Sequence, residues 1–195
     1  DEGDMVLVPD PCYPVFGDGP QIAGANLYYM PQKKENGYMI RLDEVPEDVA
    51  EKAKLMVVSY PNNPTTAMAP DSFYEELIAF ASRHDIIVLH DNAYSDLVFD
   101  GRTCGSFLGF PGAKEGGVEF NSLSKTYGLA GARIGFCLGN EAVVSRIKLL
   151  KSNMDYGMFL PIQAAAIAAI TGDQSCVHTT MKAYETRRNI MCDGF

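Results

Sequence analysis

The sequence lacks the patterns of metal-binding, disulfide-linked and membrane-spanning proteins. Its five cysteines are scattered, with no C-x-x-C pair and no histidine at ligand spacing, which argues against a zinc site and a disulfide framework and indicates reduced thiols. No apolar run approaches the roughly 20 residues that span a bilayer, and no signal peptide opens the chain. We therefore expect a cytoplasmic protein with no bound metal and no membrane partner.

Positive charge is also scarce. Sixteen lysines and arginines stand against 25 aspartates and glutamates, for a formal net charge of −9. Such a surface does not attract nucleic acid or anionic membranes, so nucleic acid is not an expected partner. The rest of the composition is ordinary for a globular protein: 195 residues, 47% of them hydrophobic and 21% charged, enough for a domain with a core.

The two ends of the sequence suggest a piece of a longer protein. The chain begins without methionine and soon enters an apolar strand pattern at Met5. It stops inside a charged helical pattern over residues 183–191. We expect both ends to be cut.

Short apolar, β-branched runs alternate with helical patterns along the whole chain. This alternation predicts an α/β fold, a mostly parallel sheet flanked by helices, in one domain over residues 1–195. The runs LMVVSY and IIVLHD predict strands buried on both faces, whose carboxyl ends should face the site. The predicted strands are 5–8, 26–30, 55–60, 86–91, 117–122 and 134–138.

Three helices are predicted from apolar stripes. The first has Asp71 as its N-cap and runs to His84. The second covers 140–153, and the third, a small and apolar segment over 161–170, begins with proline in its first turn. The inward positions of the second are predicted to be Val143, Val144, Ile147 and Leu150.

One stretch, N-S-L-S-K-T-Y-G-L-A-G-A-R-I-G-F over residues 121–136, combines serines, a lysine, glycines and an arginine. Gly128 and Gly131 permit close approach of the backbone, while serine hydroxyls and a guanidinium bind phosphate oxygens. The pattern predicts a loop that bends around an anion. Taken alone, Lys125 is better explained as a solvated surface lysine.

Two other polar clusters each follow a predicted buried strand. In H-D-N-A-Y-S-D-L, Asp91 ends an apolar strand, where a carboxylate is costly unless it is paired or lies at the open strand end; the alternative is an N-cap for a helix over 93–98. In S-Y-P-N-N-P-T-T-A-M-A-P, a structural turn is a sufficient explanation. Together with the lysine loop, these clusters predict a single rim at the strand ends.

In this order, the three clusters resemble the fold type I pyridoxal-phosphate enzymes, specifically the class I and II aminotransferases, over essentially the whole chain. The separations agree with the family, 28 residues from Asn63 to Asp91 and 34 from Asp91 to Lys125. The segments H-D-N-A-Y and Y-P-N-N-P-T resemble the branch that contains alanine-type and LL-diaminopimelate aminotransferases. The resemblance implies a homodimer that uses pyridoxal 5′-phosphate to transfer an amino group between an amino acid and a 2-oxo acid.

The resemblance also implies the catalytic residues. Lys125 would bond to the cofactor aldehyde and then move the proton of the substrate α-carbon. Asp91 would pair with the ring nitrogen and keep it protonated, so that the ring accepts electrons. Tyr94 and Asn63 would hydrogen-bond the ring's 3′ oxygen.

The remaining cofactor contacts are implied in the same way. Ser122 and Arg133 resemble the phosphate ligands of the family, with Ser124 assisting. Tyr13 would stack on one ring face, and Ala93, a small residue, would lie under the other. For Tyr13 the alternative is a core tyrosine between two prolines.

Two features leave alternatives open. The family turn Asn-Pro-Thr-Gly reads Asn63-Pro64-Thr65-Thr66 here, so the conformational freedom of glycine is absent. His90 would either hydrogen-bond the carboxylate beside it or fill the strand end.

Two other functions remain open as well. A β-eliminating carbon–sulfur lyase on the same scaffold would use the same lysine, aspartate, tyrosine and arginine. An aminotransferase-like effector domain of a transcription regulator is the candidate from another class, although no basic or helix-turn-helix segment is visible. Complete members of the resembled family are about twice this length and add an N-terminal segment and a C-terminal small domain, so we expect little turnover from this chain alone.

Overall fold

The computed structural model describes residues 2–195, which form one six-stranded sheet flanked by helices. The strands are β1 (Met5–Asp10), β2 (Asn26–Pro31), β3 (Ala53–Ser59), β4 (Ile87–Asp91), β5 (Gly117–Ser122) and β6 (Gly135–Gly139). Their order in space is β2-β1-β3-β4-β5-β6, with β6 antiparallel to β5 and all other neighbours parallel. The predicted α/β class is confirmed, and each predicted strand end lies within two residues of the observed one.

The helices connect and cover these strands. They are α1 (Val15–Ile22), α2 (Glu47–Ala50), α3 (Asp71–His84), α4 (Ala113–Gly116), α5 (Leu123–Thr126), α6 (Glu141–Met154), α7 (Leu160–Thr171) and α8 (Ser175–Gly194). Short 3₁₀ turns lie at Lys34–Asn36, Leu42–Glu44, Phe107–Gly109 and Ala130–Ala132. Across residues 2–195, no helix combines the length and apolar character that crossing a bilayer requires.

One face of the sheet is fully covered and carries the main core. Because side chains alternate along a strand, every second residue of β1, β3 and β4 points to this face. Helix α3 packs over it with Phe73, Tyr74 and Leu77, none more than 5% exposed. The strand residues that they meet are Leu7, Met56, Val58 and Val88.

The opposite face is only partly covered. Helix α1 packs Phe16 against Val6, Val8 and Val57, and beyond it an apolar cleft of about 670 Å³ follows the strands. The prediction of burial on both faces is confirmed for residues 56–60, including Val57 on this face, and is wrong for the strand over 86–91, where Ile87, Leu89 and Asp91 are only partly buried. Leu89 is half-buried because α1 packs over β1 and β2 and leaves β4 uncovered on this face.

Two helix details also differ from prediction. Asp71 is the first residue of α3 rather than its N-cap; the N-cap is Pro70, whose side chain makes no capping hydrogen bond. In α6, the side chain of Asn140 caps the helix by accepting from the Val143 N–H at 3.1 Å. Leu150 is 63% exposed rather than inward, because α6 meets the sheet only through its first half and Leu150 lies beyond.

A buried carboxylate ties β4 to β5 on the covered face. Glu119 is 3% exposed and lies opposite His90 in the strand register. Its carboxylate lies 3.1 Å from His90 Nδ1 and accepts from Phe107 N–H, Asn121 Nδ2 and the Ser106 hydroxyl at 2.8 to 3.0 Å. Burial raises the pKa of Glu119, but the hydrogen bonds from His90 and Asn121 and the charge of His90 outweigh it and lower the pKa to about 2.

Replacing this carboxylate by an amide is expected to destabilise the chain in a pH-dependent way. Glu119→Gln should lower the free energy of unfolding by about 2 kcal/mol at pH 7, because the new NH₂ group faces donors that the carboxylate had satisfied. A carboxyl whose pKa is lowered on folding stabilises the folded chain above its unfolded pKa, about 4.3, and loses that contribution as the pH falls toward 2.

Urea unfolding at pH 7 and pH 3.5 measures this effect. The difference between the two chains should be smaller at pH 3.5, and Glu75→Gln on the exposed side of α3 should change little at either pH. A difference of the same size at both pH values would contradict the assignment.

Candidate active site

Three parallel strands end at one edge of the sheet and bring their following loops together. β3 ends at Ser59, β4 at Asp91 and β5 at Ser122, and the strand register places these ends side by side. A polar cleft of about 230 Å³ opens there. It is lined by Tyr13, Ser59, Asn63, Asp91, Ala93, Tyr94, Ser122, Ser124, Lys125, Ala130 and Arg133.

This cleft contains all nine residues that the sequence singled out for a cofactor. They come from the end of β4, the end of β5, α5 and four loops, so no local segment could have assembled them. Two lining residues were not singled out. Ser59 is 3% exposed and ends the strand before the Asn-Pro turn, and its position at the end of a parallel strand could have indicated a site residue. Nothing in the sequence around Ala130 indicated that it lines the cleft.

Asp91 points to the partly covered face of the sheet. Its Oδ1 accepts from the Ala93 N–H at 3.1 Å, and residues 93–96 form a turn rather than the helix considered from sequence. Burial raises the pKa of the Asp91 carboxyl, and the Ala93 N–H and the charge of His90 offset this only in part. In the described part of the chain no lysine or arginine forms an ion pair with it.

His90, the preceding residue, points to the opposite face. It is fully buried, with Nε2 3.4 Å from the Tyr74 hydroxyl and Nδ1 beside Glu119. Strand alternation therefore directs it away from the Asp91 carboxylate. Of the two alternatives for His90, filling the strand end is the one observed.

The amine of Lys125 lies above the ring of Tyr94. Nζ is 5.4 Å from the ring centroid, and Asn63 Nδ2 donates to the Tyr94 hydroxyl at 3.5 Å. A cation over an aromatic face is attracted electrostatically, which holds the amine at the mouth of the cleft. The arrangement joins one group from each of the three sequence clusters.

Hydroxyl and guanidinium groups also line the cleft. Ser122 Oγ accepts from the Ser124 N–H at 3.1 Å, which leaves its own hydrogen free to donate. Arg133, exposed, has a left-handed backbone with φ of 53° and donates from Nη1 to the Ala130 carbonyl at 3.0 Å. Of the two glycines predicted to turn this loop, Gly128 has φ of 65°, whereas Gly131 has no positive φ.

Tyr13 lines the same cleft. Its ring is 49% exposed and meets Phe16 edge-on, with centroids 5.9 Å apart. The alternative of a core tyrosine is therefore wrong.

Comparison with known proteins decides the family. The model of the family described as aminotransferase class I and II matches residues 1–195. The chain belongs to this family. Aminotransferases of class I and II use pyridoxal 5′-phosphate as cofactor.

Named relatives of this aminotransferase chain are close in sequence and fold. It is 47% identical over its full length to LL-diaminopimelate aminotransferase of Moorella thermoacetica, of which it covers 50%. It is also 47% identical, over 98% of its length, to LL-diaminopimelate aminotransferase of Syntrophobacter fumaroxidans, of which it again covers 50%. A probable N-succinyldiaminopimelate aminotransferase from Thermus thermophilus superimposes with a TM-score of 0.93 at 33% identity, over 99% of this chain and 52% of that one. The chain spans about half the length of the curated relatives it matches.

The cleft of this aminotransferase fits the cofactor of its family. The desolvated carboxylate of Asp91, which has no cationic side chain paired to it in the described part, matches a protonated ring nitrogen. Two serine hydroxyls and a guanidinium in the lining suit a phosphate, and the amine of Lys125 belongs to the same cleft. Residues 2–195 hold no cluster of three or more His, Cys, Asp or Glu side chains that would suit a metal ion.

The turn after Asn63 carries the residue that departs from the family pattern. Thr66 has φ of 62°, a left-handed conformation that is costly for a β-branched residue, and its N–H donates to the Asn62 carbonyl at 2.9 Å. Asn62 holds the turn from inside, because its Oδ1 accepts from both the N–H and the hydroxyl of Thr65 at 3.1 and 2.8 Å. The turn is thus closed at the expense of strain at Thr66.

Thr66→Gly is expected to stabilise the chain. Glycine adopts φ of 62° without steric cost, and this outweighs its larger entropy in the unfolded chain. We expect the free energy of unfolding to rise by about 0.5 kcal/mol and Tm by about 1 to 2 °C in calorimetry.

The neighbouring residue provides the control. Thr65→Gly removes the hydroxyl that bonds Asn62 and should lower Tm. A lower Tm for Thr66→Gly as well would show that the left-handed conformation is not the source of strain.

Proposed function

We propose that this chain is the cofactor-binding large domain of a pyridoxal-phosphate-dependent aminotransferase, which transfers an amino group between an amino acid and a 2-oxo acid. The observation that carries the proposal is the convergence of an amine, a desolvated carboxylate and a hydroxyl–guanidinium group on one cleft at the strand ends. Family membership supports the reaction class. Since the relatives are twice as long, the activity of a whole protein is part of the proposal.

Each group has a proposed task that follows from its chemistry. When bound, the cofactor supplies an electron sink for the substrate α-carbon. The carboxylate of Asp91 would hold a proton on the ring nitrogen, which its desolvation favours because a paired charge relieves the cost of burial. Tyr94 and Asn63 would donate hydrogen bonds to the ring's 3′ oxygen.

Lys125 would hold the cofactor through Nζ and move the proton at the substrate α-carbon. Its exposed position at the cleft mouth gives the amine access to both. Ser122, Ser124 and Arg133 would bind the phosphate with charge-assisted hydrogen bonds. Tyr13 and Ala93 would lie on the two ring faces, where one supplies contact area and the other leaves room.

Partners and location are also part of the proposal. We propose the cytoplasm and a homodimer, on the resemblance to the family. The apolar helix α7 supports a dimer, since Leu160 and Ile167 are 74% and 63% exposed and would be buried by an interface. LL-diaminopimelate, the amino acid in the relatives' names, is the first donor to assay.

The direct test of the proposal is to identify which lysine bonds to the cofactor. With pyridoxal phosphate added and borohydride used for reduction, mass mapping should place the adduct at Lys125, and Lys125→Ala should reduce labelling at least about tenfold. Lys114→Ala, which removes an exposed lysine of α4, is the matched control. An adduct distributed over several lysines would contradict the proposal.

Asp91→Asn should weaken cofactor binding by about tenfold or more through loss of a charged hydrogen bond.

Turnover by the chain alone should be low. Substrate positioning supplies a large share of the rate of such reactions, about 7 to 11 kcal/mol, and this chain spans half of its relatives. With LL-diaminopimelate and a 2-oxo acid, we expect less than about 1% of the rate of the Moorella thermoacetica enzyme assayed alongside. A rate within a few-fold of that enzyme would contradict this expectation.

A further inference from the structure

Within residues 2–195, a single hydrogen bond joins the helix that carries Lys125 to the turn that carries Tyr94. The hydroxyl of Thr126, in α5, donates to Asp96 Oδ2 at 2.8 Å. Thr126 is 7% exposed and Asp96 is exposed, so the hydrogen bond lies at the boundary between the interior and the surface. Neither residue lines the cleft.

No other hydrogen bond within residues 2–195 connects α5 to the Tyr94 turn, residues 93–97. Pairing between β4 and β5 continues as far as the Asn92 N–H, which donates to the Phe120 carbonyl at 2.8 Å. Beyond that point the turn is closed internally by the Leu97 N–H on the Tyr94 carbonyl at 2.9 Å. The relative position of Lys125 and Tyr94 therefore depends on this hydrogen bond, on packing and on the contact of the Lys125 amine with the Tyr94 ring.

Helix α5 needs such a contact because it has only four residues, Leu123–Thr126. A helix of one turn is not stable by itself, since nucleation costs more than its few hydrogen bonds return. The Ser122 side chain fixes its first turn by accepting from the Ser124 N–H. Thr126 fixes its other end, directly after Lys125.

We propose that Asp96 and Thr126 are positioning residues that hold the Lys125 amine in register with the Tyr94 hydroxyl. The inference rests on the proposed function, because that register matters only if both groups act on one cofactor. An ionised carboxylate forms a short and strong bond to a hydroxyl, and β-branched threonine has few rotamers, so the pair fixes the spacing between the two segments. By fixing this spacing the pair supports the contact of Nζ with the Tyr94 ring, 5.4 Å from its centroid.

The test compares Thr126→Val, which removes the donor at nearly the same size, with Thr126→Ser, which keeps it. Absorbance titration measures the Kd for pyridoxal phosphate and the pH midpoint of the lysine-linked chromophore. Hydrogen exchange of residues 92–97 and 123–127 is measured without added cofactor. Asp96→Ala and the double variant Asp96→Ala/Thr126→Val complete a cycle.

Thr126→Val should raise Kd by about tenfold, shift the pH midpoint and increase exchange in both segments, while Thr126→Ser stays within about twofold. The double variant should be no weaker than Asp96→Ala. A Kd and pH midpoint for Thr126→Val equal to those of the unsubstituted chain would overturn the inference alone, whatever the exchange shows. Absence of a lysine-linked adduct in the unsubstituted chain would overturn the proposed function and this inference with it.

Discussion

A desolvated carboxylate at the end of β4 is the constraint on which the site depends. Strand alternation directs Asp91 to the partly covered face, where burial raises its pKa and the Ala93 N–H offsets this only in part. Such a group destabilises a fold unless a cation or hydrogen-bond donor joins it. In the proposed function a ring nitrogen does so, and the position of that ring then determines where Lys125 and the phosphate-binding side chains must lie.

The two faces of the sheet differ in how their buried carboxylates are paired. On the covered face, Glu119 is also a buried carboxylate, but His90 and several donors satisfy it and lower its pKa to about 2. On the other face, Asp91 lacks a paired lysine or arginine in the described residues. Neighbouring residues of β4 thus have opposite roles, since His90 stabilises the fold while Asp91 remains available to a ligand.

The sequence predicted the strands and the convergence of the site, because apolar runs mark buried strands and parallel strands end at one edge. It did not predict the exposure of Leu150 or the half-open face along Leu89, since periodicity does not reveal which apolar side chains find a covering element. The partners of Glu119 depend on strand register and on a loop 12 residues away in the chain, and a local pattern contains neither. The missing glycine indicated an altered turn at Thr66, but it did not predict that Thr66 itself adopts a left-handed φ.

A crystal structure of the chain with pyridoxal phosphate tests the central claim most directly. The account predicts continuous density from Lys125 Nζ to the cofactor, the ring nitrogen within hydrogen-bonding distance of Asp91, and the phosphate against Ser122 and Arg133. A cofactor bound elsewhere, or a ring whose nitrogen faces away from Asp91, would contradict it.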